Sequence, residues 1–220
     1  MPVRLGIAIL ACASLAIFTN DAYAQPDDES AVAPTGADLL RRFLDETRTY
    51  RAAFEQSLLT ADGREVERAT GELSIARPGR FVWRYLDPID QLVVADGVNL
   101  WIYDAELSQA TVTPLAEATR ATPAMLLSGD ATLDEEFMVQ ESFAADGLSW
   151  VRLEPRPSDA DFTEILIGFD GVTLRRLQLL DTLEQTTSLA FTDVEVNADI
   201  AATEFEFVPP AGVDVIGEAR

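Results

Sequence analysis

The chain contains no histidine and no lysine, and its single cysteine, Cys12, sits in an apolar N-terminal stretch. These absences exclude much chemistry. A Ser-His-Asp triad, a Cys-His pair, a Schiff-base lysine and an imidazole metal site each lack a required side chain. No Gly-rich phosphate loop and no calcium loop of EF-hand spacing occurs. Carboxylates are abundant, with 38 Asp and Glu against 16 basic residues, all of them Arg, for a net charge of −22. An acid-pair hydrolase is the enzyme class left open. The acidic groups Asp27-Asp28, Asp134-Glu135-Glu136 and Asp159/Asp161 nevertheless fall in polar segments, where a solvated surface accounts for them. The sequence therefore reads as a non-enzyme without cofactor or metal. Its negative balance opposes nucleic acid and anionic membrane surfaces as direct partners, because both would repel it. It fits either an acidic coat suited to saline surroundings or steering toward a basic docking partner, which salt would screen.

The N-terminus reads as a targeting segment. A short positive start at residues 1–4 precedes an apolar stretch over 5–18, and Ala22-Tyr23-Ala24 forms a small-x-small site before Gln25. The apolar stretch is too short for a comfortable membrane span. Cys12, preceded by Ile9-Leu10-Ala11, offers a lipid-attachment alternative, disfavoured because about seven apolar residues would precede it. A cleavable export signal cut after Ala24 is expected, then a polar lead-in over 25–36 and a single domain over 37–220. The mature chain would have no thiol and no disulfide.

Beyond the lead-in, Asp38 can cap a helix reaching about residue 48, with Leu39, Leu40, Phe43 and Leu44 along one side. The period then switches to two. Tyr50, Ala52 and Phe54 alternate in a first strand, and 65–76 forms a second that places Leu73, Ile75 and then Arg77 on one face. Arg77-Pro78-Gly79 turns the chain. Phe81, Trp83 and Tyr85 then alternate along a third strand, and Asp96-Gly97 joins two more at 91–95 and 99–103. A strand at 107–113 leads into an insertion over 114–129, which reads as short helices broken by Pro123. Strands resume at 137–143, 148–154, 162–169, 172–180, 185–196 and 205–208. With roughly eleven strands and no βαβ pattern, the fold class is mainly β: an incomplete antiparallel barrel or strongly curved sheet under a short-helix lid. The aromatic face of Phe81, Trp83 and Tyr85 fits either a closed core or a concave surface that receives a ligand. The facing of Trp101 stays open, since Leu100 and Ile102 make both parities apolar. Arg77 either points to water and a carboxylate or holds backbone carbonyls inside.

The ordered set Arg77-Pro78-Gly79, Phe81, Trp83, Tyr85, Pro88, Ala95-Asp96-Gly97, Leu100-Trp101 and Tyr103-Asp104 resembles the LolA family of periplasmic lipoprotein carriers. The likeness extends to Tyr50-x-x-x-Phe54-x-Gln56 upstream. Downstream it takes in Gln109-Ala110-Thr111, Thr122-Pro123-x-Met125-Leu126-Leu127, Leu153-x-Pro155-Arg156 and Phe205-x-Phe207-x-Pro209-Pro210-x-Gly212-Val213. It covers nearly all of 37–216. Ala124 departs from relatives with an aromatic there, and the acidity exceeds the family's. The resemblance implies an acyl-chain cavity lined by Phe54, Leu73, Ile75, Phe81, Trp83 and Trp101. It implies a lid carrying Leu40, Phe43, Pro123, Met125, Leu126 and Leu127, with Arg77 as the latch that closes it over an empty cavity. It further implies a monomeric periplasmic chaperone that takes lipoprotein cargo from an ATP-driven, LolCDE-like inner-membrane complex and delivers it to a LolB-like outer-membrane receptor. The alternative is a lipid or envelope-stress sensor module of related curved-sheet fold, disfavoured because such proteins tend to carry a second C-terminal domain.

Overall fold

The computed structural model describes residues 33–118, 127–128, 137–156 and 160–220. It begins with one helix, α1 (Gly36–Glu46), and continues almost entirely in strands: β1 (Thr49–Leu59), β2 (Glu65–Ala76), β3 (Arg80–Asp87), β4 (Gln91–Asp96), β5 (Asn99–Asp104), β6 (Gln109–Pro114), β7 (Phe137–Ala145), β8 (Leu148–Pro155), β9 (Phe162–Asp170), β10 (Thr173–Asp181), β11 (Thr186–Val196) and β12 (Asp214–Gly217). All twelve form one sheet in the order β12-β6-β5-β4-β3-β2-β1-β11-β10-β9-β8-β7. Two antiparallel meanders, β1 to β6 and β7 to β11, are thus joined edge to edge by pairing of β1 with β11. The sheet curves without closing, since β12 and β7 end the order unpaired with each other.

α1 starts earlier than the sequence suggested. Thr35 is the N-cap, its hydroxyl accepting from the Asp38 N–H at 3.2 Å while the Asp38 carboxylate accepts from the Thr35 N–H at 3.0 Å. Asp38 is therefore the returning half of a capping box, not the cap itself. Thr35 and Gly36, read from sequence as the end of the lead-in, belong to the helix. The reason is close approach: a Cβ on Gly36 would overlap the Trp150 carbonyl oxygen of β8. The apolar side of α1 buries Leu39, Leu40 and Phe43 against the sheet.

The C-terminal segment also differs from expectation. Residues 205–208 form no strand; a 3-10 turn at Ala202–Phe205 buries Phe205 instead, beneath the guanidinium of Arg80 at 5.7 Å. Pro209 and Pro210 follow and lack the donors a ladder needs. The chain then adds β12 in parallel to β6, Asp214 against Gln109 through Gly217 against Val112. A wholly antiparallel sheet is corrected at that edge. Residues 115–118, expected as a short helix, make a turn in which the Glu117 and Ala118 amides donate to the Pro114 carbonyl at 2.8 and 3.0 Å.

Two apolar clusters lie on opposite faces of the sheet. The larger one, on the inner face, gathers α1, Leu127 and residues such as Tyr50, Leu73, Phe81, Val151, Ile167 and Leu177. The smaller one, on the outer face, contains Val94, Trp101 and Val112 with Phe207 laid over them. Leu100 belongs to the inner cluster and Trp101 to the outer, as alternation along β5 requires. Trp101 meets the Phe207 ring at 5.4 Å in a tilted arrangement, and its indole donates to Asp96 at 3.2 Å.

Candidate functional site

The inner face of β1 to β4 is built by register. Leu73 of β2 lies beside Trp83 of β3, which lies beside Val93 of β4; Ile75 lies beside Phe81, and Phe81 beside Ala95. Phe54 of β1 crosses to Gly71 of β2. Its ring occupies the space a side chain would take there, because a Cβ on Gly71 would overlap both the Phe54 ring and the Arg84 carbonyl. Phe54 then meets Trp83 at 4.6 Å and Tyr85 edge-on at 5.4 Å. Phe54, Leu73, Ile75, Phe81 and Trp83 are thus one continuous, buried apolar surface. Trp101 is not part of it, since it faces the other way. The buried polar side chains among the described residues are Thr47, Ser74, Asn99 and Ser128, none of them acidic.

Over this surface lie α1, through Leu40 and Phe43, and Leu127 from the second covering segment. Pro123, Met125 and Leu126 lie outside the described residues. Phe43 meets Tyr50 edge-on at 5.8 Å and Phe169 at 6.0 Å. The Tyr50 hydroxyl donates to the Leu174 carbonyl at 3.1 Å, and burial pushes its pKa well above the ordinary tyrosine value.

Arg77 joins the two covering pieces. Its Nη1 donates to the carbonyls of Phe43, Leu44 and Thr47 at 2.8, 2.9 and 3.2 Å, while Nε and Nη2 donate to the Leu127 carbonyl at 3.1 and 2.7 Å. The guanidinium also sits 4.6 Å from the centre of the Phe43 ring. The last carbonyls of a helix have no partner within it and carry the negative end of its dipole. α1 has no basic residue in its own last turn, so the charge arrives from the end of β2 instead. The turn that follows contributes a further tie: Gly79, at φ +64°, donates its amide to the Ser128 carbonyl at 3.0 Å.

Sequence reasoning missed the other tether of α1. Asn197, just beyond β11, donates to the Glu46 carbonyl at 3.0 Å and accepts from the Arg48 amide at 2.7 Å. It holds φ +58°, a conformation Asn tolerates better than most residues. That residue type marks a turn in the sequence, but nothing marks a partner so distant along the chain.

At the other end of α1 the capping box is acid-sensitive. Hydrogen bonds from the Thr35 hydroxyl and then its amide hold the Asp38 carboxyl below its ordinary 3.8. A depressed carboxyl stabilises the helix above the ordinary value and loses that contribution as pH falls through the depressed one. Acidification below about pH 4 should therefore lower the protection of the first-turn amides of α1 relative to their intrinsic exchange rates at the same pH, and Asp38→Asn should blunt the change. Equal pH dependence in both proteins would exclude the capping box as its source.

The described geometry is an apolar face under a two-part cover held by a cation. The sequence profile described as "Outer membrane lipoprotein carrier protein LolA" matches residues 45–208. An outer-membrane lipoprotein carrier protein of Dechloromonas aromatica (strain RCB) is 40% identical over 181 residues, which is 82% of this chain and 87% of that one. A namesake from Cupriavidus taiwanensis is 36% identical over 217 residues, 97% of this chain and 99% of its own. Among solved structures, an uncharacterized conserved protein from Thermus thermophilus superposes with a TM-score of 0.53 at 12% identity, covering 82% of this chain and 97% of that one, a likeness of fold.

Proposed function

The chain belongs to the LolA family of outer membrane lipoprotein carrier proteins, and from that premise we propose that it is a periplasmic chaperone that shields the acyl chains of lipoproteins on their way to the outer membrane. The need for such a protein is a matter of magnitude. At about 0.8 kcal/mol per buried methylene, one 16-carbon chain resists leaving a bilayer by about 12 kcal/mol. A multiply acylated protein would not cross water unaided. The carrier must cover that hydrocarbon, yet hold it weakly enough to give it up.

The observation that carries this reading is Arg77, bonded to both parts of the cover above a continuous apolar face. A guanidinium keeps its charge at any physiological pH, so the latch depends on position alone. Closing returns Arg77 to the carbonyls of Phe43, Leu44, Thr47 and Leu127, which favours the empty carrier and opposes retention of cargo. Loading must then be driven from outside, by an ATP-consuming inner-membrane complex, and delivery completed by a lipoprotein receptor on the outer membrane. The acyl chains would lie against Phe54, Leu73, Ile75, Phe81 and Trp83 once Leu40, Phe43 and Leu127 move aside. An export signal cut after Ala24 would bring the protein to the compartment this route requires.

The test is reconstitution. Purified protein, inner-membrane vesicles, the releasing complex and ATP should yield a soluble one-to-one complex with a triacylated lipoprotein. Lipoprotein that stays with the vesicles at every carrier concentration would remove the proposal.

A further inference from the structure

Within the apolar inner face one polar atom is out of place. Trp83 is only 3% exposed, and its indole Nε1 has no hydrogen-bond partner among the described residues. Leu73 and Val93 flank it across the strands, and the Phe54 ring lies 4.6 Å away. Buried donors in folded proteins are nearly always paired, because an unpaired one forfeits its hydration for nothing. Phenylalanine would fill most of the same space without that cost.

Trp83 is not isolated from other polar groups. The Tyr85 hydroxyl beside it donates to Gln56 Oε1 at 3.2 Å. Burial raises the Tyr85 pKa above its ordinary value, so the hydroxyl remains protonated, while the nearby indole pulls the other way without reaching hydrogen-bond geometry. The inner face thus carries one small polar spot: a neutral hydroxyl engaged with an amide, and an unengaged N–H.

An indole N–H donates and cannot accept. The Tyr85 oxygen lies near it but outside hydrogen-bond geometry, so an acceptor arriving together with hydrocarbon would complete the donor. On acylated cargo that description fits the ester and amide carbonyls joining the chains to glycerol and to the protein terminus. We propose that the Trp83 indole donates a hydrogen bond to an acyl-linkage carbonyl of bound cargo, so that the site recognises the junction between chain and head as well as the chain. The inference rests on the carrier reading and adds to it a specificity residue. It also opposes the latch: Arg77 is satisfied when the cover is shut, Trp83 when lipid is in place. Two contacts of opposite sense would hold affinity between capture and surrender.

The experiment compares a dipalmitoyl-glyceryl-cysteine peptide with its di-ether analogue, which has the same hydrocarbon and no linkage carbonyls. Calorimetry on the wild-type protein should show the ester form bound about tenfold more tightly. Ultraviolet resonance Raman spectra should move one tryptophan from the free to the hydrogen-bonded indole signature on ester binding, and not on ether binding. Trp83→Phe should bind the two lipids alike. Equal wild-type affinities with no spectral change would overturn the assignment and leave the carrier reading standing. Failure of both lipids to bind would overturn this assignment and the carrier reading together. The wild-type comparison and the spectra decide the matter even if the variant folds poorly.

Discussion

Replacing Arg77 with leucine is expected to leave the twelve-stranded sheet folded and to make the carrier hold lipid about a hundredfold more tightly. On the proposed latch, the side chain holds the cover shut through bonds from a cation to four backbone carbonyls, those of Phe43, Leu44, Thr47 and Leu127. A hydrogen bond to a charged group contributes about 1.5–3 kcal/mol net, and bonds shared by one group do not add fully, so the set contributes about 3 kcal/mol. If cargo displaces these bonds, their loss weakens only the competing empty state, and apparent affinity rises by the same free energy. Transfer of a fluorescent lipopeptide to acceptor vesicles reads the effect directly. Release at the wild-type rate and extent would end the latch interpretation. Hydrogen exchange should show an uneven response, because Asn197 still holds the end of α1 through Glu46 and Arg48, whereas Leu127 loses both of its guanidinium bonds. The larger change is therefore expected near Leu127.

The second large effect is expected from Gly71→Ala, a change of one methyl group. That methyl would overlap the Arg84 carbonyl of the neighbouring strand and the Phe54 ring above it. The ring could swing away, at the expense of its contacts with Trp83 and Tyr85, but the carbonyl belongs to the β2–β3 ladder and could move only with it. Overpacking of this kind costs about 3 kcal/mol, enough to lower the urea midpoint by about 1 M or more. The double variant with Phe54→Leu separates the two overlaps. Recovery of half the loss or more would assign the strain to the ring; none would assign it to the backbone. Unchanged stability in the single variant would contradict the close approach itself.

How much of this was legible in the sequence depends on whether a residue's role is local. The inner-face residues of β2 and β3 could be read because a period of two is a property of the segment alone: Leu73, Ile75 and Arg77 share a parity, as do Phe81, Trp83 and Tyr85. Trp101 could not be placed, because Leu100 and Ile102 on either side are equally apolar. What settles it is Phe207, far along the chain, lying over the outer face. The partners of Arg77 were illegible on composition, since backbone carbonyls leave no mark in a sequence; only the likeness of ordered motifs to a known family suggested them. The start of α1 was misplaced for a similar reason. Asp38 is a good cap by type, but the contact of Gly36 with β8 fixes the register and makes Thr35 the cap. Residues 205–208 look like a strand by pattern, yet the prolines behind them deny the ladder its donors.

The parallel strand β12 has an effect unrelated to lipid. An uncovered sheet edge is a row of free amides that invites any extended chain to add to it, including a copy of the same protein. Through Asp214–Gly217 the chain occupies its own β6 edge, so the free border passes to a strand of only four residues, which offers an incoming chain few positions. At the far edge, β7 carries Glu141 paired to Arg152 and Gln140 bonded to Glu154, hydrophilic groups that discourage zippering there. Edge-to-edge self-association at high concentration is thereby limited by one short border and one charged one, independently of the sheet's inner face.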